Sequence, residues 1–105
     1  MADKTSTLPE PFMARMAEAL RVLAHPYRLR VIEHLDRAGP APVHAIGQAL
    51  GGTQGALSQH LSRLRTAGIL RADRRGKEVW YAIANPDSLI ILNCMRKRHS
   101  LEERK

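Results

Sequence analysis

Glycine and proline cut this chain into short pieces, and that division limits its fold more than any other feature. Gly39, the pair Gly51-Gly52, and Gly68 each stand just past a stretch whose apolar residues recur at helical spacing. Pro26, Pro42 and Pro86 stand where such stretches begin. Proline suits a first helical turn, where its missing N–H costs nothing, and glycine is the common stop at the other end. Together with the spacing, the punctuation predicts helices over 12–24, 26–38, 42–50, 54–67 and 86–99. Thr53 and Asn85 precede the last two as side-chain caps.

After Gly68 the period changes. In ILRADRRGKEVWYAI, Leu70 and Ala72 alternate on one arm and Val79, Tyr81 and Ile83 on the other, with RRGK between them. Gly76 supplies the positive φ of a tight turn, so the segment reads as a β-hairpin. At 105 residues the chain makes one domain, and with 44% hydrophobic but only 4% aromatic residues its core is aliphatic, which suits packed helices. The expected organisation is a loose arm over 1–11, a folded domain over 12–99 and a charged tail over 100–105. The fold class is mainly α with a β-hairpin wing.

The helix over 54–67 has two unlike faces. Leu57, Leu61 and Leu64 stack on one side at i, i+4 and i+7. The opposite arc carries Gly55, Ser58, Gln59, Ser62, Arg63 and Thr66, with no acid anywhere from Thr53 to Leu70. A solvated helix face ordinarily favours Glu and Lys. Short hydrogen-bonding side chains instead suit close approach to a polar, negative surface. A short helix, a tight glycine turn and a longer helix with such a face is the helix-turn-helix order. The hairpin that follows adds Arg74, Arg75 and Lys77 at its tip, which makes the arrangement a winged helix-turn-helix with five helices. Net charge is +7, from 17 Lys and Arg against 10 Asp and Glu. Charge alone fits a polyanion partner or mere solubility equally.

These segments resemble the ArsR/SmtB family of small prokaryotic winged-helix transcriptional regulators. The resemblance lies in ALRVLAHPYRLRVIEHL, ALSQHLSRLRTAGIL and RRGKEVWYAI and covers roughly residues 15 to 99. It implies a homodimer paired through the helices over 12–24 and 86–99. It also implies an inverted-repeat operator in double-stranded DNA, and repression relieved by an effector. The family's groove-contacting positions fall on Gln54, Ser58 and Gln59, with Thr53, His60 and Arg63 as phosphate contacts. The chemistry agrees. Gln pairs bidentately with adenine in the major groove, and a helix N-terminus holds a phosphate.

Several residues carry two readings. Gly55 either permits close backbone approach or is a neutral surface glycine. His60 either touches phosphate or packs beside Leu61 with one nitrogen bonded locally. Trp80 is read as a packing residue of the wing, since one aromatic is too few for single-strand binding. The apolar run Leu89-Ile90-Ile91-Leu92 demands burial on nearly all sides of its helix, by its own domain and by a second copy. Cys94 on that helix is either a small buried hydrophobe or a thiol near its symmetry mate, open to redox sensing.

In metal-sensing relatives cysteines stand within a pattern like E-L-C-V-x-D-L; here the matching stretch is P-A-P-V-H-A-I. The last-helix metal site of other relatives uses Asp and His ligands, of which Asp87 is present while Leu89 stands two residues on. A single cysteine also rules out an intrachain dithiol switch. No metal and no cofactor are therefore expected. Nothing resembles an enzyme's catalytic grouping. With no signal-like or membrane-spanning run and one cysteine, the expected address is cytoplasmic. The competing class is a winged-helix module that binds RNA or a protein partner, for which the fold alone would serve.

Overall fold

Leu61 and Leu64 are completely buried and Leu57 nearly so, and around them the chain folds. The computed structural model describes residues 4–104. The elements run α1 (Glu10–Leu23), α2 (Pro26–Ala38), β1 (Ala41–Pro42), α3 (Val43–Leu50), α4 (Gln54–Thr66), β2 (Leu70–Arg75), β3 (Glu78–Ile83) and α5 (Asp87–Glu103). Val31, Ile32 and Leu35 of α2, Ile46 of α3, Ile69 and Leu70 at the foot of the wing, and Leu92 of α5 close over the three leucines. Truncating any one of the fully buried leucines to Ala costs about 2–5 kcal/mol in such a setting. The recognition-type helix is thus anchored by its apolar face.

The turn between α3 and α4 is possible because Gly51 and Gly52 take φ of 78° and 87°, the left-handed region that side chains resist. Thr53 then caps α4, its Oγ1 accepting from the N–H of Ala56 at 3.2 Å. Gly76 turns the hairpin with φ of 64°. In the hairpin register Leu70 faces Ile83, Ala72 faces Tyr81 and Arg75 faces Glu78. Leu70 and Ala72 thus share a face with Ile83 and Tyr81, as read, but burial along β3 does not alternate: its buried residue is Ala82, with half-buried neighbours on both sides. Both arms are tied at the base, where the carbonyl of Ile69 accepts from the N–H of Ala84 at 2.8 Å.

Several features differ from the expected layout. The first helix begins at Glu10, two residues before Phe12, with Pro9 at its N-cap position. Among the arm residues, 1–3 lie outside the described ones. Pro42 does not open α3; Ala41 and Pro42 form a third strand, pairing with Tyr81 and Trp80. Proline is admissible there because β1 is an edge, in a sheet of order β1-β3-β2. At the other end α5 does not stop at His99 but runs on through Glu103. Ser100, Leu101, Glu102 and Glu103 are all compatible with helix, and Arg98–Glu102 and His99–Glu103 form i,i+4 pairs there. Most of the predicted charged tail is therefore helical; Lys105 lies outside the described residues.

α5 begins at Asp87, with Pro86 at its N-cap position rather than in its first turn, and Asn85 bonds the helix start from one residue further out. The Asn85 Oδ1 accepts from the N–H of Asp87 at 2.9 Å, and the Ser88 hydroxyl donates to the Asn85 carbonyl at 3.0 Å. Asp87 itself is 8% exposed and is held by the Nε of Arg15 at 2.9 Å, which locks α5 against α1. An acid in the first turn also suits the helix dipole. No helix among the described residues is long and apolar enough to cross a membrane.

Candidate nucleic-acid interface

With its leucines turned inward, α4 presents Gln54, Gly55, Ser58, Gln59, Ser62 and Arg63 outward, all exposed. Of the residues read as groove or phosphate contacts, Thr53, Gln54, Ser58, Gln59 and Arg63 lie along this open side or at the helix start. Nothing lies within 4 Å of where a Cβ on Gly55 would stand, so this glycine relieves no crowding inside the chain. Gln54 borders a cleft with His44 and Gln48, which continues the polar face onto α3.

The wing follows α4 in the chain, and its first strand packs against that helix. Arg74, Arg75 and Lys77 are exposed at its tip. The guanidinium of Arg75 lies 4.5 Å above the Trp80 ring, a diagonal cross-strand pair that holds the cation in place. Trp80 thus packs within the wing, as read. The two acids of the hairpin each have a basic neighbour: Arg71 lies 4.0 Å from Asp73, and the His44 Nδ1 lies 2.9 Å from a Glu78 carboxylate oxygen. The last contact also ties the wing to the first turn of α3.

His60 is placed differently from the other predicted contacts. It is half-buried, and its Nδ1 accepts from the Nε of Arg28 at 3.1 Å. Its ring stacks on Tyr27 at 5.1 Å between centroids and meets His25 edge-on at 4.5 Å. Burial holds its pKa below the ordinary imidazole value, and His25, Arg28 and Arg63 push it the same way. This cluster was not legible in the sequence, because Arg28 and His60 are 32 residues apart and share no pattern.

The last helix leaves a different kind of surface. Ile90 is 56% exposed and Leu101 48%, and they share one helical face with Cys94. Cys94 is exposed in the single chain, so its expected burial is not supplied by its own domain. On the adjoining α1, Met13 and Leu20 are also half open. Asp87, the one carboxylate on α5 that matches the relatives' metal position, is engaged by Arg15. Among the described residues no three His, Cys, Asp or Glu side chains gather as a metal site would require.

Comparison with known proteins gives a consistent picture. Residues 23–72 match a family model described as a helix-turn-helix domain. An uncharacterized HTH-type transcriptional regulator of Mycobacterium tuberculosis is 36% identical over 88 residues, covering 84% of this chain and 77% of that one. The crystal structure of AntR, an antimony-specific transcriptional repressor, superposes with a TM-score of 0.87 at 28% identity, over 98% of this chain and 93% of that one. The homodimeric winged helix-turn-helix DNA-binding domain of a possible ArsR-family regulator from Mycobacterium bovis gives a TM-score of 0.73 at 26% identity, over 95% and 91% of the two chains.

Proposed function

This chain belongs to the ArsR/SmtB family of winged helix-turn-helix transcriptional regulators, and from that premise we propose how it engages DNA. It is a DNA-binding transcriptional regulator, and α4 is its reading helix. Gln54, Ser58 and Gln59 meet base edges in the major groove, while Thr53 and Arg63 meet phosphates. Arg74, Arg75 and Lys77 of the wing hold the sugar-phosphate backbone or the minor groove alongside. His60, half-buried with its Nδ1 bonded to Arg28 and its ring stacked on Tyr27, is taken in its packing reading rather than as a phosphate contact. The observation that carries this reading is the open, acid-free side of α4, backed by three buried leucines, with three exposed cations at the tip of the wing whose first strand packs against α4.

The working unit is a homodimer paired through α1 and α5. Met13, Leu20, Ile90 and Leu101 stand about half exposed on two adjoining helices, apolar side chains that a partner copy would cover. A two-fold dimer presents two copies of α4, which matches an inverted repeat with half-sites a helical turn or a multiple apart. The AntR neighbour is a repressor, and repression relieved by an effector is the output assigned to this chain as well. The direct test is binding to inverted-repeat duplex across a salt series. Affinity should fall steeply with salt, with a slope of about 0.9 per phosphate contact. Binding that ignores salt, or a chain that stays monomeric at micromolar concentration, would sink the proposal.

A further inference from the structure

We propose that Tyr27 and Arg28, which lie outside the helix-turn-helix, are positioning residues that set the recognition helix for DNA binding. In this arrangement Arg28 links the end of α1 to α4 through His60. The inference rests on the reading of α4 given above and adds to it a route from the dimer helices.

Arg28 bridges two elements with one guanidinium. Its Nη1 donates to the Val22 carbonyl in the last turn of α1 at 2.9 Å, and its Nε donates to the Nδ1 of His60 at 3.1 Å. The fork of arginine suits this, since its donors point in fixed directions. Tyr27, one residue earlier, does a parallel job on the turn. Its hydroxyl donates to the Gly51 carbonyl at 2.7 Å, and its ring faces both Gly52 and the His60 imidazole. The first turn of α2 therefore grips the recognition helix at two points, the glycine turn before it and His60 on its flank. α1, which belongs to the apolar pairing surface, is held by the same arginine. A shift of α1 against its partner is transmitted to α4 through Arg28 without passing through the core.

The link has a chemical condition. Nδ1 accepts from Arg28 only while it carries no proton, so the ring must be neutral, with its proton on Nε2. The groups that face it are His25 from the α1–α2 junction, Tyr27 and Arg28 from α2, and Arg63 from α4 itself. None is acidic, and burial together with His25, Arg28 and Arg63 keeps the imidazole neutral below the ordinary value near 6.5. Acidification past that point adds a proton where Arg28 donates, breaks the link and places like charges together. The sign separates this role from a phosphate contact, because a protonated His60 touching phosphate would strengthen DNA binding.

The experiment uses the full chain and an inverted-repeat duplex, with fluorescence anisotropy over a pH range of about 8 to about 5.5. His60→Gln keeps an acceptor for Arg28 but cannot titrate, so it should bind like wild type near neutrality. On acidification the wild type should weaken relative to His60→Gln. Tyr27→Phe should weaken binding by roughly 2- to 12-fold, the equivalent of one hydrogen bond, and Arg28→Met, which loses two, by at least as much, with the dimer intact and the salt slope unchanged. A slope lower by about 0.9 in Arg28→Met would show that Arg28 reaches phosphate itself, and would overturn the proposal. So would a wild type that tightens on acidification relative to His60→Gln, a comparison that survives any folding defect in Arg28→Met. Nitrogen NMR of the DNA-free protein supplies a readout independent of α4's role. It should report the Nε2–H tautomer at His60, perturbed by Arg28→Met, and an Nδ1–H tautomer there would refute the link. If wild type fails to bind duplex, or Ser58→Ala leaves its sequence discrimination unchanged, it is the reading of α4 that falls, while the NMR result still decides the link.

Discussion

Replacing Ile90 by Ala should weaken the dimer and leave the protomer's core alone. Ile90 is 56% exposed and lies on the α5 face that also carries Cys94 and Leu101. Full burial of an isoleucine side chain is worth about 1.5–3 kcal/mol, so covering the exposed fraction contributes roughly 0.8–1.7 kcal/mol. A two-fold interface uses the residue twice, which raises the figure to about 1.7–3.4 kcal/mol per dimer. At about 1.4 kcal/mol per decade this is a rise of roughly 15- to 250-fold in the dissociation constant. The Cβ that Ala retains lowers this number, and the hole it leaves across the interface raises it. Sedimentation equilibrium over a range of concentrations measures the constant, and far-UV circular dichroism checks that the helices persist. An unchanged constant in a folded variant would remove Ile90 from the interface and refute the pairing of α5. A variant that unfolds outright would mean that Ile90 belongs to the protomer's own core.

Other substitutions separate the parts of the DNA surface. Ser58→Ala and Gln59→Ala should each lower discrimination between operator and unrelated duplex by about 1–3 kcal/mol, measured by competition binding. Lys77→Ala should weaken binding to every sequence and flatten the salt slope; Arg75→Ala should do the same, with some added loosening of the wing because Arg75 also stacks on Trp80. If the wing variants lost specificity and the helix variants did not, the two roles would be reversed. Thr53→Ala should lower stability by about 0.5–2 kcal/mol through loss of the α4 cap, visible in denaturant unfolding. Cys94→Ser should keep dimerisation and DNA binding nearly intact, and peroxide should leave the wild-type complex in place in a mobility-shift assay. Release of DNA by peroxide from wild type but not from Cys94→Ser would instead make this thiol a sensor.

Local rules carried the sequence reading wherever a structural choice was local. The leucine repeat at 57, 61 and 64 had one physical solution, a helix with those residues inward. The glycines at 51, 52 and 76 marked turns because their backbone angles suit few other residues. What escaped was whatever depends on distant partners. The strand at Ala41–Pro42 is two residues long and exists only because Tyr81 and Trp80 offer an edge to pair with. Asp87 looked like a remnant of a metal position, and only the fold brings Arg15, 72 residues away, to its carboxylate. The run 89–92 was read as needing burial by its own domain and by a second copy; within one protomer Leu92 is buried and Ile90 is open, which leaves Ile90 available for the proposed pairing. His60 shows the opposite limit: its candidate roles were stated from sequence, but its neighbours Tyr27, Arg28 and His25 were not.

The account stands or falls on a symmetric, sequence-specific DNA site, and selection from a pool of randomised duplexes measures that most directly. The wild-type chain, incubated with the pool at moderate salt and carried through several rounds, should enrich a palindromic sequence. Its half-sites should lie about 10 base pairs apart, or a multiple of that, as two copies of α4 on a two-fold dimer require. The same selection with a chain carrying Ser58→Ala and Gln59→Ala should give weaker or degenerate half-sites at unchanged spacing. Enrichment of an asymmetric site, or no enrichment over the starting pool by a folded dimer, would contradict it.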